Sequence, residues 1–267
     1  MIAGSHHYAG QFLLQEAHFR GLPCQAIHQV QDLVFGGSHN LSTSTQEQRV
    51  LLSAYGSSRF HSASQEMQIN YQLLEEAEKK GVTKVVFLLP LFSSHRSLNR
   101  VRREQAAFCQ AVEHSSLNYL IIKVNYLYSD LNAWLSEAEK GSLRIFSWGH
   151  FRLNPIHGED LAQFVFDHLE ENQKTISLGG PEVLSQMEIA KMALSAQHKE
   201  QNIKQWPSWL RTWEAFLHRL WYTSEKHRPW LQEVKRLDQH LVARREGIHR
   251  LKAYFRDEAQ RLQPVKI

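Results

Sequence analysis

Apolar positions along this chain follow two rhythms, one that suits the buried face of a helix and one that suits a buried strand. Phe12, Leu13, Ala17 and Phe19 are spaced so that a helix over 11–20 can bury them, and Gly21 ends it. Ile69, Leu73, Leu74 and Ala77 repeat the pattern over 65–80, with Gly81 as the stop. Helices are also predicted over 98–114, 131–140 and 185–195. Between them lie short runs that read as strands: 24–27, 32–35, 49–54, 85–89, 119–124 and 176–178. The run Val85-Val86-Phe87-Leu88-Leu89 has no polar position, as a parallel strand covered on both faces requires.

Strands alternating with helices predict an α/β fold, a Rossmann-type doubly wound parallel sheet over residues 1–178. After the Gly179-Gly180-Pro181 turn the rhythm changes, and residues 179–267 are expected to form a smaller, mainly helical C-terminal lobe without clear strands. Within it Trp206, Trp209, Trp213, Phe216, Leu220 and Trp221 recur at helical spacing, behind Pro207. Such a stripe is expected to pack as core, with a lid over an apolar substrate, a membrane surface or a protein partner as the other readings.

The charge of +4 on 267 residues comes from 31 basic and 27 acidic side chains that alternate along the chain, so a solvated surface is expected and no nucleic acid. Two cysteines, Cys24 and Cys109, imply neither a disulfide framework nor a metal cluster. The first residues lack a secretion signal, and the longest apolar run, Val85 to Phe92, is too short to span a bilayer, so a cytoplasmic location is expected. Only three residues precede Gly4, fewer than the about five a central strand commonly needs, which a translation start placed too late would explain. Despite sixteen histidines, no two-His spacing with a carboxylate on one helix is visible, and no metal site is expected.

Several stretches read together carry a resemblance. Asn154-Pro155-Ile156-His157-Gly158-Glu159-Asp160-Leu161-Ala162 is the most specific. Asn70 to Ala77 with Gly81-Val82, Gly179 to Ser185, and Val242-Ala243 through Gly247 to Phe255 support it. Together they resemble the atypical short-chain dehydrogenase/reductase superfamily, in its NmrA-like branch of NAD(P)-binding proteins. The resemblance implies a dinucleotide, NADP or NAD, held by a Gly-x-x-Gly-x-x-Gly turn before a helix N-terminus. Gly4, Ser5, His7, Tyr8 and Gly10 stand at that turn, with His7 in place of the middle glycine. Ala54, Tyr55 and Gly56 stand where the family supports adenosine and ribose. His28 and Gln29, where a phosphate-selecting residue is expected, choose neither cofactor.

The same resemblance places the catalytic Tyr on Val101, its Lys on Gln105, and a Ser on Pro90 or Leu91, so the proton donor is missing. Neighbouring Arg102 and Arg103 cannot act as acids. Lys123, Asn125, Asn154 and His157 fall at positions that face substrate, although His157 is expected mainly to orient its loop, with Asp160 capping the following helix. The reading is a divergent NAD(P)-binding protein acting as a nucleotide-responsive regulator or assembly factor. The alternatives are an NAD(P)H-dependent oxidoreductase, working by positioning on a small or apolar substrate without the Tyr/Lys pair, and an interaction protein without nucleotide if His7 blocks the turn.

Overall fold

The computed structural model describes residues 1–28, 30, 49–57, 63–92, 99–146, 149–200, 202–206 and 240–262. In chain order its elements are β1 (Ile2–Ala3), α1 (Tyr8–Phe19), β2 (Ala26–Ile27), β3 (Val50–Ser53), α2 (Ala63–Lys79), β4 (Lys84–Pro90), α3 (Asn99–His114), β5 (Asn118–Val124), α4 (Asn132–Glu139) and β6 (Leu143–Phe146). They continue with β7 (Arg152–Leu153), α5 (Gly158–Asp167), β8 (Lys174–Gly179), β9 (Leu184–Ser185), α6 (Gln186–Ala196), β10 (Ile203–Trp206), β11 (Arg244–Arg245) and α7 (Leu251–Leu262).

Seven strands form one parallel sheet in the order β11-β8-β5-β4-β3-β1-β2, the α/β architecture that the alternating rhythm predicts. All seven residues of β4 are buried, because both of its edges are paired and both of its faces are covered. The expected strand at 32–35, Gln29 and the tryptophan stripe beyond Trp206 lie outside the described residues.

The C-terminal part differs from expectation in carrying strands. β9 pairs antiparallel with β7, β10 pairs parallel with β6, and β11 extends the main sheet beside β8. Both residues of β11 are exposed arginines held through backbone pairing, which leaves no apolar alternation to read.

Packing divides the chain into two compact units, one of Met1–Pro90, Leu98–Val124 and Leu161–Ser177, the other of Leu91–Ser97, Asn125–Asp160 and Leu178–Ile267. The first has a core built around Leu51, Leu73, Val85, Phe87, Phe108 and Ile121. The second has its own, around Leu135, Ile145, Leu153, Ile189, Leu194 and Phe255.

Candidate functional site

In the first unit, β1, β2 and β3 are parallel and end together, so Gly4, His28 and Ala54 leave the sheet at its carboxyl edge, where ligands of open α/β sheets sit. Gly4 has φ +74°, a conformation that favours glycine. Gly10 lies so close to the turn that a Cβ there would fall 2.1 Å from the Gly4 carbonyl oxygen. Helix α1 therefore packs against its own entry turn, and the two glycines of the motif are needed where they stand.

The middle position is filled. His7 takes the N-cap of α1 with an extended backbone, but its side chain does not cap the helix. Its ring is buried, lies edge-on to Tyr55 at 5.3 Å and packs 4.2 Å from the His6 ring. The ring also covers Gly4, with Cδ2 at 3.1 Å from where a Cβ on that glycine would be. His7 Nε2 lies 3.8 Å from a carboxylate oxygen of Glu66, itself only 5% exposed in the first turn of α2. Burial pushes the Glu66 carboxyl up to about 7, against the opposing hydrogen bond from the Gly56 backbone.

Around this turn Ser5, Ala54 and Tyr55 are buried, His6 is exposed and Tyr8 is half-buried. The Tyr55 hydroxyl donates to the His28 carbonyl at 3.2 Å. Gly56, at φ +90°, starts the turn toward buried Ser57, and Asn70 ties this segment to α2 by donating to Tyr55 O and accepting from Ser53 Oγ. A dinucleotide needs backbone approach at the middle of the first turn and a positive field there. The backbone of the turn fits, whereas the buried imidazole and carboxyl beside it do not fit a pyrophosphate in this arrangement.

Gln105, at the position where the resemblance leads one to expect a lysine, is buried on α3 and donates its amide to the Pro90 carbonyl at 2.8 Å, at the end of β4. Val101 lies one turn earlier and half-buried. Lys123 is half-buried at the penultimate position of β5.

The other positions assigned to substrate belong to the second unit. Asn125 and Asn154 are 1% and 0% exposed. Asn125 Nδ2 donates to Asn154 Oδ1 at 2.6 Å and to Leu241 O at 2.7 Å. Asn154 also accepts from Ala243 N and donates to the carbonyls of Gly180 and Ala243. Both amides are thus occupied in joining three chain segments.

His157 accepts from Glu159 N at 3.3 Å, at the start of α5, and its ring stacks on His249 with centroids 4.4 Å apart. Burial, helped by the neighbouring imidazole, pushes His157 down to about 4, which keeps it a neutral acceptor. Asp160 differs from its expected role as a helix cap. Its buried carboxylate reaches the C-terminal segment, where it accepts from Ile248 N, His249 N and His249 Nδ1. His157 instead supplies the contact at the helix start. The expected absence of a metal group rested on spacing along one helix, and spacing does not reveal that His157, Glu159 and His249 converge, with ligand atoms within 4.8 Å of one another.

No described helix is long and apolar enough to cross a membrane. No protein-family model and no curated protein sequence matches this chain. Solved structures do. A nucleoside-diphosphate-sugar epimerase from Staphylococcus aureus superposes with a TM-score of 0.67 at 16% identity, over 96% of this chain and 99% of its own. A GDP-6-OMe-4-keto-L-xylo-heptose reductase from Campylobacter jejuni gives 0.63 at 14% identity, over 98% and 97%. A GDP-D-glycero-L-gluco-heptose synthase from the same organism, in the presence of NADPH, gives 0.61 at 13% identity, over 97% of each. Such identities establish architecture alone, and the chain has the Rossmann-like α/β fold that these epimerase and reductase structures share.

Proposed function

We propose that this chain is a divergent NAD(P)-binding-type protein that works by binding and not by turnover, as a nucleotide-responsive regulator or assembly factor, with NADP or NAD reaching the turn only when the His7 ring leaves Gly4. The observation that carries this reading is Gln105. Where the resemblance calls for a lysine, a buried amide is committed to the Pro90 carbonyl, and an amide supplies no positive charge to lower a phenol's pKa. Val101, one turn away, supplies no phenol. The fold is that of the solved structures it superposes on, and the two positions that the resemblance assigns to an acid–base pair carry Val101 and Gln105.

The test is thermal unfolding of the full chain with excess NADPH, NADP, NADH or NAD, run on the parent and on His7→Gly, because a ligand of the native state raises Tm by mass action. The expected result is a rise with one phosphate class that is larger in His7→Gly, together with no oxidation of NADPH or NADH when carbonyl or nucleotide-sugar substrates are offered. Steady turnover by the parent would establish the oxidoreductase reading instead. No shift in either protein would leave an interaction protein without nucleotide.

A further inference from the structure

We propose that His157, Glu159 and His249 form a binding site for a zinc-like divalent cation, separate from the Gly4–Gly10 turn. Each residue offers one ligand atom, and the three atoms lie within 4.8 Å of one another. A tetrahedral ion with bonds of about 2.1 Å places its ligand atoms about 3.4 Å apart. His249 Nε2 and Glu159 Oε2 already stand at 3.4 Å. Only the His157 ring must close, by at most about 1.4 Å, which a modest rotation supplies.

The surroundings are those of a ligand set held from behind. His249 Nδ1 lies 2.8 Å from the buried Asp160 carboxylate, which places the ring proton on Nδ1 and turns the Nε2 lone pair toward Glu159. A carboxylate behind a histidine fixes its tautomer and raises its basicity as a ligand. Asp160 also takes the backbone N–H groups of Ile248 and His249, so the segment carrying the ligand is anchored to α5. His157 is steadied edge-on by Tyr128, whose hydroxyl donates to His249 O at 2.7 Å. The Glu159 side chain is 47% exposed and both rings are half-buried, leaving solvent access for a fourth ligand. Two imidazoles with one carboxylate suit zinc and its borderline neighbours, whereas magnesium and calcium prefer oxygen alone.

The experiment is calorimetric titration of ZnCl2 into tag-free full-length chain freed of metal with a chelator, backed by the visible absorption of Co2+ as a probe of imidazole ligation. One Zn2+ per chain, a rise in Tm with Zn2+ and not with Mg2+, and Co2+ bands of low coordination number are expected. Glu159→Gln, an exposed change that leaves the folded core untouched, should weaken Zn2+ by ~10-fold or more, and His249→Gln should remove the Co2+ bands, on the scale at which even supporting residues cost ~10–100-fold. His114→Gln, an exposed histidine elsewhere, should change nothing. The proposal is overturned if Zn2+ does not bind, or if Glu159→Gln binds it as the parent does.

Discussion

Glu66 and Lys84 show how much a single buried ionisable group decides. The folded protein holds the Glu66 proton more tightly than an unfolded chain does, since burial lifts the carboxyl from about 4.5 to about 7. Ionising it therefore costs stability. The cost is absent below about pH 4.5, grows as pH rises, and is complete above about pH 7. Glu66→Gln should be more stable than the parent at pH 8 by roughly 1–3 kcal/mol and lose that advantage near pH 4.5. Urea unfolding at both pH values checks this, and an equal advantage at both would mean that the carboxyl's charge is not the cause. Lys84 is fully buried at the start of β4, and its ammonium donates to the carbonyls of Leu169 and Glu171 and to Asn172 Oδ1. Burial pushes its pKa down, with Glu170 and Glu171 opposing. Lys84→Met would keep the packing but strand those acceptors, and denaturant melts should show a loss of about 2–4 kcal/mol. Neither role is legible in the sequence, where nothing distinguishes Glu66 or Lys84 from the chain's other charged residues.

Between elements, the second unit is tied by contacts that demand both a particular side chain and the lack of one. Asn154 can reach Gly180, Ala243 and Asn125 because Gly179 has no Cβ, which would sit 2.3 Å from the Asn154 amide. Gly247 plays the same part for Asp160. It has φ +87°, and a Cβ there would lie 2.2 Å from the Asp160 carboxylate. Gly247→Ala combines left-handed backbone strain with that clash and should lower stability by about 2–4 kcal/mol, read as a fall in Tm. Gly21→Ala makes a useful comparison, since its Cβ would meet nothing within 4 Å and only the backbone term at φ +66° remains. The motif from Asn154 to Ala162 stands out in the sequence, and so does its match at Gly247 to Phe255. What joins them does not, because the bonds from Asp160 to His249 span eighty-nine residues.

For the whole molecule, the C-terminal segment is structural to the second unit and not an appendage. Leu241, Leu251, Phe255 and Ala259 all lie in its core. Burying each larger apolar side chain contributes about 1.5–3 kcal/mol, against a total stability of only about 5–15 kcal/mol for a folded domain. A chain ending at Gln239 should therefore express as aggregate, or bind a hydrophobic dye and lose cooperative unfolding. A soluble, cooperatively melting truncation would show that the second core holds without this segment.

The sequence by itself determined the order and type of the main helices and strands, and with them the α/β class, because helix and strand periodicities are local and survive without knowledge of contacts. It also marked the glycines at 4 and 10 and the histidine between them. Only the tertiary structure decided where the His7 ring points, that Glu66 stands beside it, that Asn125 and Asn154 are clasps between chain segments, and that His249 meets His157 and Glu159. Those outcomes depend on side chains brought together from distant parts of the chain, and spacing along the chain carries no record of such meetings. The short strands β9, β10 and β11 belong with them, since they are paired through backbone groups that every residue carries alike.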